Sequence, residues 1–171
     1  MRSDQKGVGL VEVLIALVLL AIAVLGFVGL QIRAVAASQE AGRNVQAMNI
    51  ARDLSERIRT NRDGLLSYTA AEAPKEGEEA EDPKNCANVF CTASEMGGYD
   101  YAQVTEKAKN IGMSLDILNC QGGSELKRKC IYVAWEGTTP TNGTADTDCT
   151  QGAAYVPKAK CIIVEVYNYA D

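Results

Sequence analysis

The sequence predicts an α+β protein: a long N-terminal helix followed by a small antiparallel β-sheet head carrying disulfides. Three observations lead there. An apolar run with a single charged residue occupies residues 8–30. It continues without proline into a stretch whose apolar residues recur at steps of three and four. Beyond residue 112, short β-branched and aromatic segments alternate with Gly, Thr, Asn and Lys. The whole chain has 171 residues, enough for one modest domain.

Composition narrows the function. There is no histidine. That removes Ser-His-Asp and Cys-His catalysis, His-ligated zinc and the usual general base near neutral pH. The net charge of −5 argues against nucleic-acid binding driven by charge. With only two Phe and one Trp, the core is expected to be aliphatic and thin. The balance points away from an enzyme, and no cofactor or metal is expected.

Within the apolar run the only charge is Glu12, and Val13 to Leu30 carries no charged or strongly polar residue. A run of this kind spans a membrane as a helix, since ~20 residues at ~1.5 Å each cross the hydrocarbon core. A domain of this size has little room to bury a helix that is apolar all round. A cleaved secretory signal fits poorly, because the run exceeds an ordinary h-region of ~7–15 residues and no small-residue cleavage site closes it. Arg2 and Lys6 precede the span, so the positive-inside rule puts the N-terminus in the cytoplasm and the body across the membrane. All six cysteines lie between 86 and 161, on the exported side, where disulfides persist.

Glu12 is the anomaly of this segment. A carboxylate in an apolar membrane helix costs up to ~2.5–3.5 kcal/mol on insertion scales and marks a functional candidate. Its surroundings read Lys6-Gly7-Val8-Gly9-Leu10-Val11-Glu12, then Val13-Leu14-Ile15-Ala16-Leu17. This resembles the start of a type IV prepilin with its class III signal peptide: a short basic leader, a Gly, and an apolar segment with Glu at its fifth residue. One departure is Val8, where the family often has Phe or Met.

The resemblance implies a division into a leader (1–7), a transmembrane and filament-core half of the helix (8–32), and a periplasmic head (33–171) that includes the helix's second half. It implies a prepilin peptidase that cuts between Gly7 and Val8 and methylates the new amine of Val8. That α-amine is mostly cationic at neutral pH. Inside a filament, Glu12 of one subunit would neutralise the amine of another, and removing one partner of such a buried pair costs ~3–5 kcal/mol. The implied site is therefore Gly7 and Val8 for processing and Glu12 for subunit assembly. Gly26 and Gly29 fall late in the run, where resembling pilins often carry a helix breaker; close packing against neighbours is the other reading.

Residues 33–63 contain no proline and one glycine, Gly42. Ala41, Val45, Met48, Ala51, Leu54 and Ile58 form an apolar stripe. Arg43, Arg52, Arg57, Arg59 and Arg62 lie largely off it, as a solvated face. Asp53 and Arg57 form an i,i+4 pair. One helix is expected from about 9 to 63, stopped by Gly64. Residues 69–85, with Pro74, Pro83 and an acidic run from Glu72 to Asp82, read as an exposed loop.

Cys86 and Cys91 suit a small disulfide-closed loop, not a redox C-x-x-C. Two cysteines ahead of Tyr99-Asp100-Tyr101-Ala102-Gln103 look like the PilV-type minor pilins. A short helix is expected over Tyr101–Ile111, ended by Gly112. Strands are expected at Ser114–Cys120, Cys130–Glu136 and Cys161–Tyr169, with a hairpin connection at Gln121–Glu125 and a long loop from Gly137 to Gly152. The segment Val133-Ala134-Trp135 also resembles the PilV type. The head is thus expected to be a pilin-type α+β head, its sheet packed on the helix.

Six cysteines allow many connectivities. Sequential pairing is the expected one: Cys86–Cys91, Cys120–Cys130, Cys149–Cys161. A Cys₄ zinc site lacks C-x-x-C pairs. Asp146-Thr-Asp148-Cys-Thr150-Gln-Gly152 resembles a calcium-loop fragment, but its glycine is late and Pro157 stands where the terminal Glu belongs. Lys127-Arg128-Lys129 offers phosphate contacts but reads as a solvated hairpin. Asn142-Gly-Thr144 is an uninformative sequon.

The resemblance thus implies a non-catalytic minor pilin, PilV-like, that helps prime pilus assembly in a tip-associated complex. Its partners would be the prepilin peptidase, other minor pilins and the major pilin, the inner-membrane assembly platform and a tip adhesin. It would sit in the inner membrane with its head periplasmic, then join the extracellular pilus. The alternatives are a minor pseudopilin of a type II secretion system and a DNA-uptake pilus subunit.

Overall fold

The computed structural model describes residues 9–68, 84–122 and 128–166. The chain divides into two compact units, residues 1–43 and 44–171. Helix α1 runs from Leu10 to Thr60. In the first unit it is helix alone, with nearly every side chain exposed.

The second unit is built on the last turns of α1. There the buried positions are Ala47, Ile50, Ala51, Leu54 and Ile58. The expected stripe is corrected at its start: Ala41 and Val45 are exposed and Met48 is half-buried. Ala47 and Ile50 take their place, because the core of the head begins only at residue 47. The expected helix end is corrected too. α1 stops at Thr60, Asn61 leaves helical geometry, and a 3₁₀ turn covers Arg62–Ser67. Gly64 is therefore not a helix stop; it lies buried within that turn.

Helix α2 spans Ala93–Asn110, starting eight residues before the expected Tyr101. Its beginning is a capping box. The Glu95 amide donates to Thr92 Oγ1 at 3.2 Å, and the Thr92 amide donates to Glu95 Oε2 at 2.7 Å. Gly97 and Gly98 lower helix propensity here, and the capping box and packing outweigh them. Gly112 at φ +73° then closes the helix.

Strands β1 (Met113–Asn119), β2 (Lys129–Trp135) and β6 (Cys161–Val166) form an antiparallel sheet in the order β1-β2-β6. In register, Leu115 faces Val133, which faces Ile162. The expected strands are met within a residue; the expected extension of β6 to Tyr169 and most of loop 69–85 lie outside the described residues. The central strand β2 is buried on both faces from Cys130 to Trp135. One face joins α1, α2 and the 3₁₀ turn through Leu54, Ile58, Tyr68, Val104, Leu115 and Ile131. The other holds Tyr132, Ala134 and three cysteines.

The expected loop from Gly137 to Gly152 is corrected. It carries β3 (Thr139–Asn142) and β4 (Asp148–Gln151), and with β5 (Ala154–Tyr155) these form a second sheet. β3 and β4 run parallel; β4 and β5 are antiparallel. Few apolar residues signal these strands, since polar bonding holds them. The Asp148 carboxylate accepts from Thr141 Oγ1 and, at 2.8 Å, from the Ala145 amide. Those bonds hold its pKa below the usual carboxylate value.

Disulfides join Cys86 to Cys91, Cys120 to Cys130 and Cys149 to Cys161. The second clamps the β1–β2 hairpin. The third ties β4 to β6, and so one sheet to the other.

Arg57, expected on a solvated face, is instead the centre of a half-buried network. Its Nε donates to Asp53 Oδ1 at 2.9 Å, and its Nη1 donates to Asp100 Oδ1 and Gln103 Oε1. Lys107 Nζ reaches Asp53 Oδ2 at 2.8 Å. The buried Tyr68 hydroxyl donates to Asp100 Oδ2 at 2.9 Å; burial pushes its pKa up to about 12, so it keeps its proton. Asp100→Ala is expected to lower head stability by about 2 kcal/mol, because both Arg57 and Tyr68 lose an acceptor in a poorly solvated place. A thermal melt checks this against Glu56→Ala, whose exposed pair with Arg59 contributes little.

Burial pulls the Asp53 carboxyl upward, but bonds from Lys107 and Arg57 outweigh it and hold its pKa below the usual value. A carboxylate depressed in the folded state contributes stability above its unfolded pKa, ~3.9, and loses it as pH falls through the folded value. Unfolding followed against pH is therefore expected to show a plateau above about pH 5 and a decline below about pH 4, shallower in Asp53→Asn.

Candidate assembly site

The first unit presents the segment that carried the prepilin resemblance. Gly9 opens the helix: its carbonyl accepts from the Glu12 amide at 3.0 Å and the Val13 amide at 3.3 Å. This puts Glu12 in the first turn of α1. The free amides of a helix N-terminus favour a carboxylate there. Gly7 and Val8 lie outside the described residues.

Beyond Glu12, the large apolar side chains from Val13 to Val35 are all exposed, Leu25 by 72% and Leu30 by 71%. Among the described residues, α1 is the one helix long and apolar enough to cross a membrane, with a mean hydropathy of 3.1 in its most apolar window. A continuous apolar surface of this size on a monomer calls for lipid or other helices to cover it. Gly26 and Gly29 sit within unbroken α-helix, and a Cβ at either would meet nothing within 4 Å. Within this chain they neither break the helix nor seat a neighbour.

The residues that resembled the PilV type lie in the head, in two separate places. Asp100 and Gln103 accept from Arg57, Tyr99 OH accepts from Gln103 Nε2 at 2.6 Å, and Trp135 is in the core. Sequence reading missed the parts played by Asn61 and Tyr68. Asn61 Nδ2 donates to the Ala93 carbonyl at 2.8 Å, bridging the 3₁₀ turn to α2. Its position just after the last helical residue was the available signal.

The rival constellations are drawn into local structure. Arg128 donates to both oxygens of Glu165 at 2.9 Å. Lys127 lies outside the described residues. Asp148, the central acid of the calcium-like fragment, is engaged by Thr141 and Ala145. Asn142 Oδ1 accepts from Thr150 Oγ1 at 3.0 Å.

Comparison with known families agrees with this geometry. Residues 2–28 match the prokaryotic N-terminal methylation motif, and residues 29–102 match the model of type IV pilin Tt1218. No curated protein and no solved structure matches the chain. The long helix, the small antiparallel sheet and the disulfides make up a pilin α+β fold. Together the two matches support a type IV pilin with a class III signal peptide. Its methylation motif implies processing by a peptidase and assembly with other pilins, and its apolar helix fits a membrane-anchored pilin. Pilins as a family are structural subunits.

Proposed function

We propose that this chain is a non-catalytic minor pilin of the PilV type that helps prime pilus assembly in a tip-associated complex. The prepilin peptidase cuts after Gly7 and methylates Val8. The N-terminus is cytoplasmic and the head periplasmic until the subunit joins the extracellular filament. Other minor pilins, the major pilin, the inner-membrane platform and a tip adhesin are its partners. The observation that carries this reading is the exposed apolar helix with one carboxylate, Glu12, in its first turn. The PilV type is supported by Tyr99-Asp100-x-x-Gln103 and Val133-Ala134-Trp135. The first orders itself against Arg57, and the second forms part of the central strand.

Intact mass with and without a prepilin peptidase tests the processing. Loss of residues 1–7 plus one methyl group is expected, and Gly7→Leu should abolish both. An unshifted wild-type mass would sink the proposed processing. Glu12→Ala is expected to be cut normally but to fall at least tenfold in sheared filaments, because the neighbour's amine then lacks its counter-charge. Deleting the gene separates pilus from secretion system: lost twitching with intact secretion supports the pilus, and the reverse supports a type II pseudopilin.

A further inference from the structure

The three disulfides sit in unlike surroundings. Cys130, Cys149 and Cys161 belong to the buried cluster on the second face of β2, and half-buried Cys120 packs against it. Cys86 and Cys91 belong to neither core cluster. Both are half-buried, and the residues between them are exposed, Phe90 completely so. An external thiol therefore reaches this bond without any part of the core opening, and access is one of the terms that set the rate of thiol–disulfide exchange.

The surroundings also decide how hard each bond is to reduce. Cys120–Cys130 lies across the β1–β2 ladder, where Leu118 faces Cys130, and Cys149–Cys161 ties β4 to β6. A reduced pair at either place stays together, because the packed sheets hold its thiols in reach of each other. What holds the Cys86–Cys91 ring is local. The Asn85 side chain accepts from the Ala87 amide at 3.1 Å, and the Asn85 carbonyl accepts from the Asn88 amide at 3.1 Å. Lys84 pairs with Glu95 across an exposed surface at 3.0 Å. A bond that adds little to the stability of the fold is in turn protected little by it.

Reduction would change what the segment presents. The bond holds the Cα atoms of Cys86 and Cys91 at 5.6 Å across a sequence separation of 5. Extended, the same stretch would span ~17 Å. Only the open form can lie extended through Val89 and Phe90.

We propose that Cys86–Cys91 is a redox switch in the head: an external dithiol opens this bond ahead of the other two, and its state decides whether Val89 and Phe90 are held in a closed ring or freed as an extended segment. One thiolate of the dithiol attacks a sulfur of the pair, the S–S bond breaks, and its electrons leave with the other sulfur. The second thiol of the reagent then closes its own disulfide. The chain gains two electrons and two protons, and the dithiol loses them. The spacing is not that of a redox C-x-x-C, so the ring is the substrate of exchange and catalyses none. The proposal stands on the disulfides alone and is independent of the pilin reading.

The test treats the full-length, folded chain with graded dithiothreitol, traps thiols with iodoacetamide and maps the adducts by mass. Cys86 and Cys91 are expected to be labelled at a dithiothreitol concentration about tenfold below that which opens either other pair. Another pair opening first, or all three opening together, overturns the selectivity. Chymotrypsin reads the second half, since a protease takes its substrate extended. Cleavage after Phe90 is expected to be about tenfold faster in the selectively reduced and alkylated chain than in the oxidised one, and equally fast in the Cys86→Ser, Cys91→Ser chain. Equal cleavage of the oxidised and reduced chains would show that the bond controls nothing at Phe90 and would overturn the switch.

Discussion

Gly64→Ala should destabilise the head by about 3 kcal/mol, while Gly98→Ala should leave it unchanged or stabilise it slightly. At Gly64 a Cβ would fall 2.2 Å from the Ala93 carbonyl oxygen and 2.5 Å from Asn61 Nδ2. The first is backbone, and the second is a side-chain amide held to it by a hydrogen bond of 2.8 Å. Gly97 meets the same junction from α2: its Cβ would lie 2.8 Å from the Gly64 carbonyl oxygen. Backbone touches backbone here, and a methyl group forces the 3₁₀ turn away from α2. Overpacking costs ~1–3 kcal/mol, and the Asn61–Ala93 hydrogen bond is worth about 1 more. Gly98 has nothing within 4 Å of its Cβ and lies mid-helix, where Ala is favoured by ~0.5–1 kcal/mol. Thermal unfolding of the two variants checks this. Equal shifts at 64 and 98 would mean that the close approach contributes nothing.

The same junction shows why part of the fold was legible in sequence and part was not. The apolar run, Glu12 and the β-branched strands announce themselves through period and composition, because lipid and sheet act on every residue of a segment. The start of α2 depends on a capping box, Thr92-x-x-Glu95, and it is followed by Gly97 and Gly98, which lower helix propensity. One of those glycines is required by a contact 33 residues away in sequence, with Gly64. The second sheet lacked an apolar alternation altogether; Asp148 and a series of threonines hold it by hydrogen bonds that depend on three-dimensional placement. Arg57 looked like any other arginine on a charged helix until Asp100 and Gln103 arrived from α2. The proposed processing and assembly segment is linear, so its motif is read along the chain and does not depend on residues brought together by folding.

Replacing Cys149 and Cys161 with serine is expected to lower stability by about 3 kcal/mol, the chain-entropy value for closing a loop of this length. The two are 12 residues apart in sequence, and Cys149 is fully buried. The loss should also be local. β3 and β5 are exposed or half-buried along their length, whereas β1, β2 and α2 share a continuous core with α1. Without the bond, β4 keeps little apolar attachment to β6, so the second sheet should open before the first. Limited proteolysis is then expected to cut first within residues 137–160, while hydrogen exchange at Ile131 and Val133 stays slow. Cys86→Ser with Cys91→Ser provides the contrast, because that bond closes an exposed loop of 5 residues' separation that joins no sheet. Its removal should leave exchange in both sheets unaltered. If the Cys149 and Cys161 variant instead lost protection everywhere at once, the second sheet would belong to the same cooperative unit as the first, and the disulfide would hold the whole head.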